Sequence, residues 1–461
     1  MKIPSKEPDQ DRTEKKQWKA SASWDICESN VGGKETKMVK RNIIIISLDE
    51  VRPDHLSCYG YKKISTPAVD QVAKEGVRFE TCISSSEFTP IAMGSVITGK
   101  YPNKHGIRDP YCHITGPSIA SILNKNGYLT AGFTGNGLLS KKHGFAEGFD
   151  LWNEASKETS WKESIFHTLP GATSDEIFYV GNYWVEAFFA WLKSNYKDEF
   201  FVWGHFYETH EGSEHSLLEK GLIKEGDFPE FSYYDAKIRM VDKRLIGRLL
   251  KTLDELGISE NTTLVVMSDH GTNLGEHPVQ PIPWRSGGIR YPQHVTMYDC
   301  DLKVAMIMKG KGLPEGKKVK GVVGSVDLIP TLLDLVGVPT EGCDFDGSSL
   351  LPVIEKGEAK GREVYSEDLF EIRGESTLQS IRTGNFKFIR NSTLGTEEYY
   401  DLHKDSQEKN NIIEKIDKER IISLRKKLSA FLETRVSKGE VFSQKEKEEI
   451  NKRLRALGYM K

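Results

Sequence analysis

The sequence predicts an α/β fold: a large, mostly parallel sheet between layers of helices, followed by a small C-terminal α+β subdomain. Two observations predict the sheet and a third predicts the subdomain. N-I-I-I-I-S-L at residues 42–48 is an apolar run that ends on an acid, Asp49. A continuous run of this kind suits a strand buried on both faces of a parallel sheet. Similar runs occupy residues 129–133, 200–205, 263–267 and 304–308. Helical patterns lie between them. In residues 235–253, Ile238, Val241, Leu245, Leu249 and Leu253 recur at three- and four-residue steps and form one apolar face. Residues 118–125 and 328–335 repeat the pattern, and strands alternating with helices imply a sheet covered on both sides. Beyond about residue 355 the texture changes: short strand-like stretches at 380–382 and 386–390 flank the turn T-G-N, and a charged helix follows from about residue 418.

The chain has 461 residues, 38% apolar and 28% charged, with a formal net charge of −3. This is the balance of a globular protein, and it carries no basic field to favour a nucleic-acid partner. Residues 1–40 read as a flexible polar extension, 41–355 as the main α/β domain and 356–461 as the C-terminal α+β subdomain with its charged helical tail. No apolar run is long enough to span a bilayer, and M-K-I-P-S-K-E-P-D-Q lacks the apolar core of a signal peptide. The six cysteines are scattered without a C-x-x-C pair, which implies thiols in a reducing compartment. The expectation is a cytoplasmic enzyme with no membrane or nucleic-acid partner; a homo-oligomer is left open.

Ligands of an open α/β sheet bind outside the carboxyl ends of its strands. Two strands here end in acids, as L-D-E (Asp49, Glu50) and as M-S-D-H-G (Asp269, His270). Hard oxygens with one imidazole suit a divalent cation such as Mg, Mn, Ca or Zn, in at least one ion. Acids at strand ends also cap following helices, but two such pairs in one cleft favour metal. Thr89, in F-T-P-I-A-M-G, reads as an N-cap with proline at the first helical position. The same geometry puts its hydroxyl where an anion is stabilised, and a nearby cation would make it a nucleophile. His210, His277 and His294 are candidates for substrate or leaving-group contact, against the structural role a lone histidine more often has. Trp284, Arg285 and Arg290 read as a cleft mouth for an anionic substrate, or as a solvated loop. Glu211 and His215 form a weak candidate pair for a second metal.

The ordered blocks I-I-I-I-S-L-D-E-V-R-P-D-H-L-S-C-Y-G-Y, T-P-A-V-D-Q-V-A-K-E-G-V-R-F, V-I-T-G-K-Y-P-N-K-H-G-I and V-V-M-S-D-H-G-T-N-L-G-E-H resemble the sulfatase branch of the alkaline phosphatase superfamily. The later V-D-L-I-P-T-L-L-D-L-V-G-V-P, I-R-T-G-N-F-K-F-I-R, Y-Y-D-L-H-K-D and L-R-A-L-G-Y extend the resemblance from about Arg41 to the C-terminus. It implies an alkaline-phosphatase-like mixed sheet, a small C-terminal subdomain, and hydrolysis of an anionic ester through a covalent intermediate. It puts Asp49, Asp269 and His270 at the metal, and Glu50 where many relatives carry a further ligand. His210 matches the histidine after the family's D-P-H strand, and His294 falls near the lysine or histidine that precedes T-L-Y-D.

The departures point elsewhere. Sulfatases carry C-x-P-S-R, whose cysteine becomes formylglycine; here Thr89 stands at that cysteine and Met93 at the arginine. The sulfate-binding G-K-W-H-L-G reads T-G-N-G-L-L, with Gly135 and Gly137 in place of lysine and histidine. Asn136 resembles the asparagine of threonine-nucleophile relatives. The leading expectation is therefore hydrolysis of a phosphodiester or phosphonate monoester of a small-molecule or saccharide alcohol through Thr89. The alternatives are a sulfatase without formylglycine, a phospho-group transferase, and a non-catalytic anion-binding member.

Overall fold

In the computed structural model, β1 (Asn42–Leu48) is the central strand, and every one of its residues is buried. The structure describes residues 41–154, 183–210, 232–278, 294–368, 377–433 and 442–456. The burial of β1 follows from its pairing, parallel to β5 (Phe200–Phe206) on one side and to β6 (Thr262–Ser268) on the other. Its side chains alternate between two cores, as strand geometry requires. Ile43 and Ile45 join Phe201, Trp203, Val265 and Met267 on one face, while Ile44 and Ile46 join Val202, Val266 and Ile307 on the other. Truncating one of these to alanine would cost about 2–5 kcal/mol.

The other strands are β2 (Gly76–Ile83), β3 (Leu129–Thr134), β4 (Leu151–Glu154), β7 (Lys303–Val304), β8 (Met306–Lys309), β9 (Lys317–Gly324) and β10 (Glu358–Ala359). They assemble in the order β10-β9-β2-β8-β6-β1-β5-β3-β4, with β7 on β2. The sheet is mixed and mostly parallel, as expected. The run at 304–308 departs from a single strand. It breaks at Ala305, whose backbone pairs with the Ser268 hydroxyl and amide, and β8 continues antiparallel to both β6 and β2.

Helices α1 (Pro67–Lys74), α4 (Tyr183–Asn195), α5 (Ser232–Val241) and α6 (Gly247–Glu255) lie on one face; α2 (Thr89–Thr98), α3 (Ile119–Lys125) and α7 (Leu328–Val336) lie on the other. The 235–253 pattern is helical but not uniformly so. A π-turn, Asp242–Ile246, joins α5 to α6. Its Asp242 carboxylate accepts from the Val69 and Ala68 amides at 2.8 and 3.3 Å, satisfying orphan donors at the start of α1.

The C-terminal part forms a second, antiparallel sheet, β11 (Val364–Asp368), β12 (Leu378–Arg382), β13 (Phe386–Asn391) and β14 (Thr396–Asp401), in sequence order. Helix α8 (Lys418–Glu433) covers one side through Ile421, Leu424 and Leu428, while Val364, Ile389 and Tyr400 pack with Ile83, Met297 and Val322 of the main body. A fully buried Lys387 fastens the two parts, reaching Asp299 at 2.5 Å and Glu408 at 2.9 Å. Among the described residues no helix is long and apolar enough to cross a membrane, and Cys58, Cys82, Cys112, Cys300 and Cys343 are free thiols.

Candidate active site

Asp49 leaves the end of β1, and Asp269 and His270 leave the adjacent end of β6, so the pairing of two strands brings the three together. Their hydrogen bonds divide each carboxylate in two. Asp269 Oδ1 accepts from the amides of His270 (2.7 Å) and Glu50 (3.1 Å), and Oδ2 makes no hydrogen bond. Asp49 Oδ2 accepts from Asn136 Nδ2 at 3.4 Å and lies 3.2 Å from His205 Nε2, while Oδ1 makes none. His270 Nδ1 faces the Gly271 carbonyl at 2.8 Å and must donate to it, which leaves a lone pair on Nε2 in the neutral ring. Asp49 Oδ1 and Asp269 Oδ2 are thus without hydrogen bonds, and His270 Nε2 faces the Thr89 hydroxyl; all three residues are fully buried and form a metal-sized group with ligand atoms within 4.8 Å of one another.

The electrostatics agree with a site that expects positive charge. Burial, then the neighbouring Asp269, pushes Asp49 well above the ordinary carboxylate range. Burial alone would lower His270, but the Asp269, Asp49 and Glu50 carboxylates outweigh it and raise it. Two hard oxygens without hydrogen bonds and an imidazole oriented from behind fit a divalent cation.

Thr89 stands beside this group, with Oγ1 3.2 Å from His270 Nε2. The expected N-cap is shifted by one residue. Phe88 occupies the cap, so Thr89 is the first residue of α2, and Pro90 follows within the first turn. Its hydroxyl is therefore turned to His270 rather than to the helix amides. Every residue of α2 is buried, including Met93, one turn further on.

Glu50, expected with the first group, turns away from it. Its backbone is left-handed, φ +60°, held by its amide on Asp269 and by the Tyr234 hydroxyl on its carbonyl at 2.6 Å. Its Oε1 instead lies 3.2 Å from His210 Nε2 and 3.2 Å from His294 Nε2, making a second buried group of metal-ligating type. His210 and His294 are thus brought together. His277 is elsewhere, its ring stacked on Tyr298 at 3.7 Å. Asn136 is at the site, orienting Asp49. Trp284, Arg285, Arg290, Glu211 and His215 lie outside the described residues.

Sequence reasoning missed three contributors. His205 sits inside β5 and reads as part of an apolar run, yet strand pairing sets it beside Asp49, with Nδ1 2.9 Å from Ser47 Oγ. Tyr234 bridges the Glu50 carbonyl and the Arg52 amide. Trp184 explains Gly135: a Cβ at that position would lie 2.6 Å from the indole ring. The indole Nε1 donates to Glu208, whose carboxyl burial pushes up to about 7.

A family model for sulfatases matches residues 41–338. The chain belongs to the sulfatase family. A second family model, for the C-terminal part of N-sulphoglucosamine sulphohydrolase, matches residues 287–435. Curated relatives include an N-acetylglucosamine-6-O-sulfatase of Bacteroides thetaiotaomicron, 24% identical over 84% of this chain and 85% of its own. An arylsulfatase of Clostridium perfringens is 27% identical over 86% of this chain and 95% of its own. Among solved structures, the phosphonate monoester hydrolase of Agrobacterium radiobacter shares the fold, with a TM-score of 0.65 and 20% identity over 86% of this chain and 95% of that one. The chain is accordingly an ester hydrolase of the sulfatase and alkaline-phosphatase-like superfamily. Members of this family bind a divalent metal, and the Asp49, Asp269 and His270 group is suited to hold one.

Proposed function

We propose that this sulfatase-family member hydrolyses a sulfuric ester of a saccharide alcohol, with Thr89 as nucleophile. The observation that carries the reading is the Thr89 hydroxyl, 3.2 Å from His270 Nε2 and beside two carboxylate oxygens without hydrogen bonds. The choice of sulfur over the phosphorus expected from the sequence is supported by the sulfatase relatives, and the saccharide by the N-acetylglucosamine-6-O-sulfatase among them. A divalent cation held by Asp49, Asp269 and His270, of the Ca, Mg, Mn or Zn class, supplies positive charge that lowers the hydroxyl's pKa and offsets charge on the transferring group.

The chain's own residues do the rest. Thr89 Oγ attacks sulfur as the bond from sulfur to the alcohol oxygen breaks, leaving sulfate on the threonine. Water then attacks that sulfur, releasing inorganic sulfate and restoring the hydroxyl. The amides at the start of α2 and its dipole stabilise the anion. Asn136 and His205 fix Asp49. The departing alcohol oxygen takes up a proton on the Glu50, His210 and His294 side, in net exchange for the proton lost from the Thr89 hydroxyl, so the alcohol leaves neutral. The free thiols support a reducing, cytoplasmic setting.

A second reading, phosphonate monoester or phosphodiester hydrolysis, keeps the same residues. It is favoured by Thr89, Gly135 and Gly137 standing where sulfatases use cysteine, lysine and histidine, and by the shared fold with phosphonate monoester hydrolase. No observation favours transfer to an alcohol. The experiment is kcat/KM of wild type and Thr89→Ala on p-nitrophenyl sulfate and p-nitrophenyl phenylphosphonate. Wild type is expected to prefer the sulfate, and Thr89→Ala to lose at least about 1,000-fold on both. Full activity in Thr89→Ala would remove the nucleophile, and a faster phosphonate would move the assignment to phosphorus.

A further inference from the structure

Among the described residues two lysines are buried: Lys387, which joins the two parts of the molecule, and Lys237, at 1% exposure. An ammonium is costly to bury and persists inside a protein where fixed partners receive it. Lys237 Nζ donates to the His210 carbonyl at 2.8 Å.

The helix explains how it gets there. Lys237 follows Tyr234 by three residues on α5, so the two side chains share one face in adjoining turns. Tyr234 holds the Glu50 carbonyl at 2.6 Å and the Arg52 amide at 2.8 Å. Ile238 and Val241 anchor the same helix in the apolar core against the sheet. One rigid element thus fixes the chain leaving β1, through Tyr234, and the chain leaving β5, through Lys237.

The chain leaving β5 is a tight turn. The His210 amide donates to the Tyr207 carbonyl at 3.1 Å, and the Thr209 hydroxyl donates to the Asp49 carbonyl. The His210 ring stacks on Tyr207 at 4.3 Å, with Nδ1 2.8 Å from the Tyr207 hydroxyl. A hydroxyl that donates to Nδ1 leaves the neutral ring's proton on Nε2, which lies 3.2 Å from Glu50 Oε1. Lys237 closes the far end of this turn. Its ammonium is a compact charge on a flexible stem, so it reaches a single carbonyl from within the core and makes a charge-assisted bond to it.

We propose that Lys237 is a positioning residue: by fixing the His210 carbonyl it aims the imidazole, so that Nε2 delivers a proton to the departing alcohol oxygen. This rests on the proton supply assigned above to the Glu50, His210 and His294 side. As the bond from sulfur to the alcohol oxygen breaks, the Nε2 proton passes to that oxygen, and the proton released by Thr89 replaces it on the ring. Lys237 acts only through His210.

The leaving group separates positioning from mere stability. kcat/KM is measured for wild type and Lys237→Met on p-nitrophenyl sulfate, whose phenolate departs readily, and on phenyl sulfate, whose phenolate needs a proton. A well-placed general acid contributes about 100- to 10,000-fold, so Lys237→Met is expected to lose at least about 10-fold more on phenyl sulfate than on p-nitrophenyl sulfate. Equal losses on the two esters, or no loss on either, would overturn the proposal. Circular dichroism and the urea midpoint establish that the variant folds; where it does not, Lys237→Gln carries the same comparison with the same deciding outcomes. If phosphonates prove the faster substrates, p-nitrophenyl and phenyl phenylphosphonate replace the sulfates. A leaving-group-dependent loss with no group found on Thr89 would leave Lys237 standing and remove the nucleophile. Equal losses with Thr89 modified would do the reverse.

Discussion

Gly135→Ala adds a single methyl group at the edge of the site, and its cost is set by Trp184. The new Cβ would lie 2.6 to 2.8 Å from three atoms of the indole, well inside contact distance. Trp184 is only 4% exposed, and its Nε1 is held by Glu208 at 3.2 Å, so the ring cannot step aside without breaking that bond. Overpacking of this kind costs about 1–3 kcal/mol. The backbone at Gly135 is not left-handed, so alanine also gains about 0.4–1 kcal/mol by restricting the unfolded chain. The two effects leave a net loss of about 1–2 kcal/mol, read as a lower urea midpoint at unchanged slope. Trp184→Phe removes the clashing part of the indole, so the double variant should lose less than the sum of the single ones. A Gly135→Ala protein as stable as wild type, or strict additivity with Trp184→Phe, would refute the argument that Trp184 excludes the side chain sulfatases carry there.

Asp242 supplies a pH-dependent test. Burial pushes its carboxyl up to about 6. With a raised folded-state pKa, its contribution to stability is complete below its unfolded pKa of about 4 and is lost as pH rises through about 6. Asp242→Asn should therefore gain about 1–2 kcal/mol relative to wild type between about pH 4 and pH 7. A constant difference across urea melts at those pH values would contradict it. Tyr234→Phe strands a buried carbonyl on Glu50 and a buried amide on Arg52. It should cost about 1–3 kcal/mol in chemical denaturation, and no measurable loss would show that the hydroxyl does not hold Glu50. Chelation should lower the melting point of wild type, since an ion at 100 times its Kd adds about 2.7 kcal/mol. The shift should shrink in Asp269→Asn, and an unchanged wild-type melt after chelation would argue against any bound ion.

Much of this was legible in the sequence because β1 and β6, buried at every position, carry apolar runs that lead directly into acids. Continuous burial names a central strand, and the strand end names the cleft. The helix of 235–253 was visible from its period, but not its π-turn, since Asp242 is fixed by amides of a distant helix. β2 and β9 were missed because G-V-R-F-E-T-C-I and K-K-V-K-G-V-V-G mix charge with apolar residues where the sheet nears its edge. In the site, Asp49, Asp269, His270 and Thr89 converge as the motifs suggested. Glu50 did not follow its neighbour, because a left-handed φ redirects a side chain and leaves no mark in residue type. His205 was hidden for the opposite reason: inside a strand, one polar residue among aromatics looks like noise until pairing sets it opposite Ser47.

The most direct measurement of the central claim is the mass of the Thr89 peptide from protein quenched in acid during turnover of an aryl sulfate or aryl phosphonate. The account predicts one sulfo or phosphoryl group on Thr89, absent from unreacted enzyme and from Thr89→Ala. An active enzyme that carries no such group under rapid quench, or carries it on another residue, would contradict the assignment of Thr89 as the nucleophile.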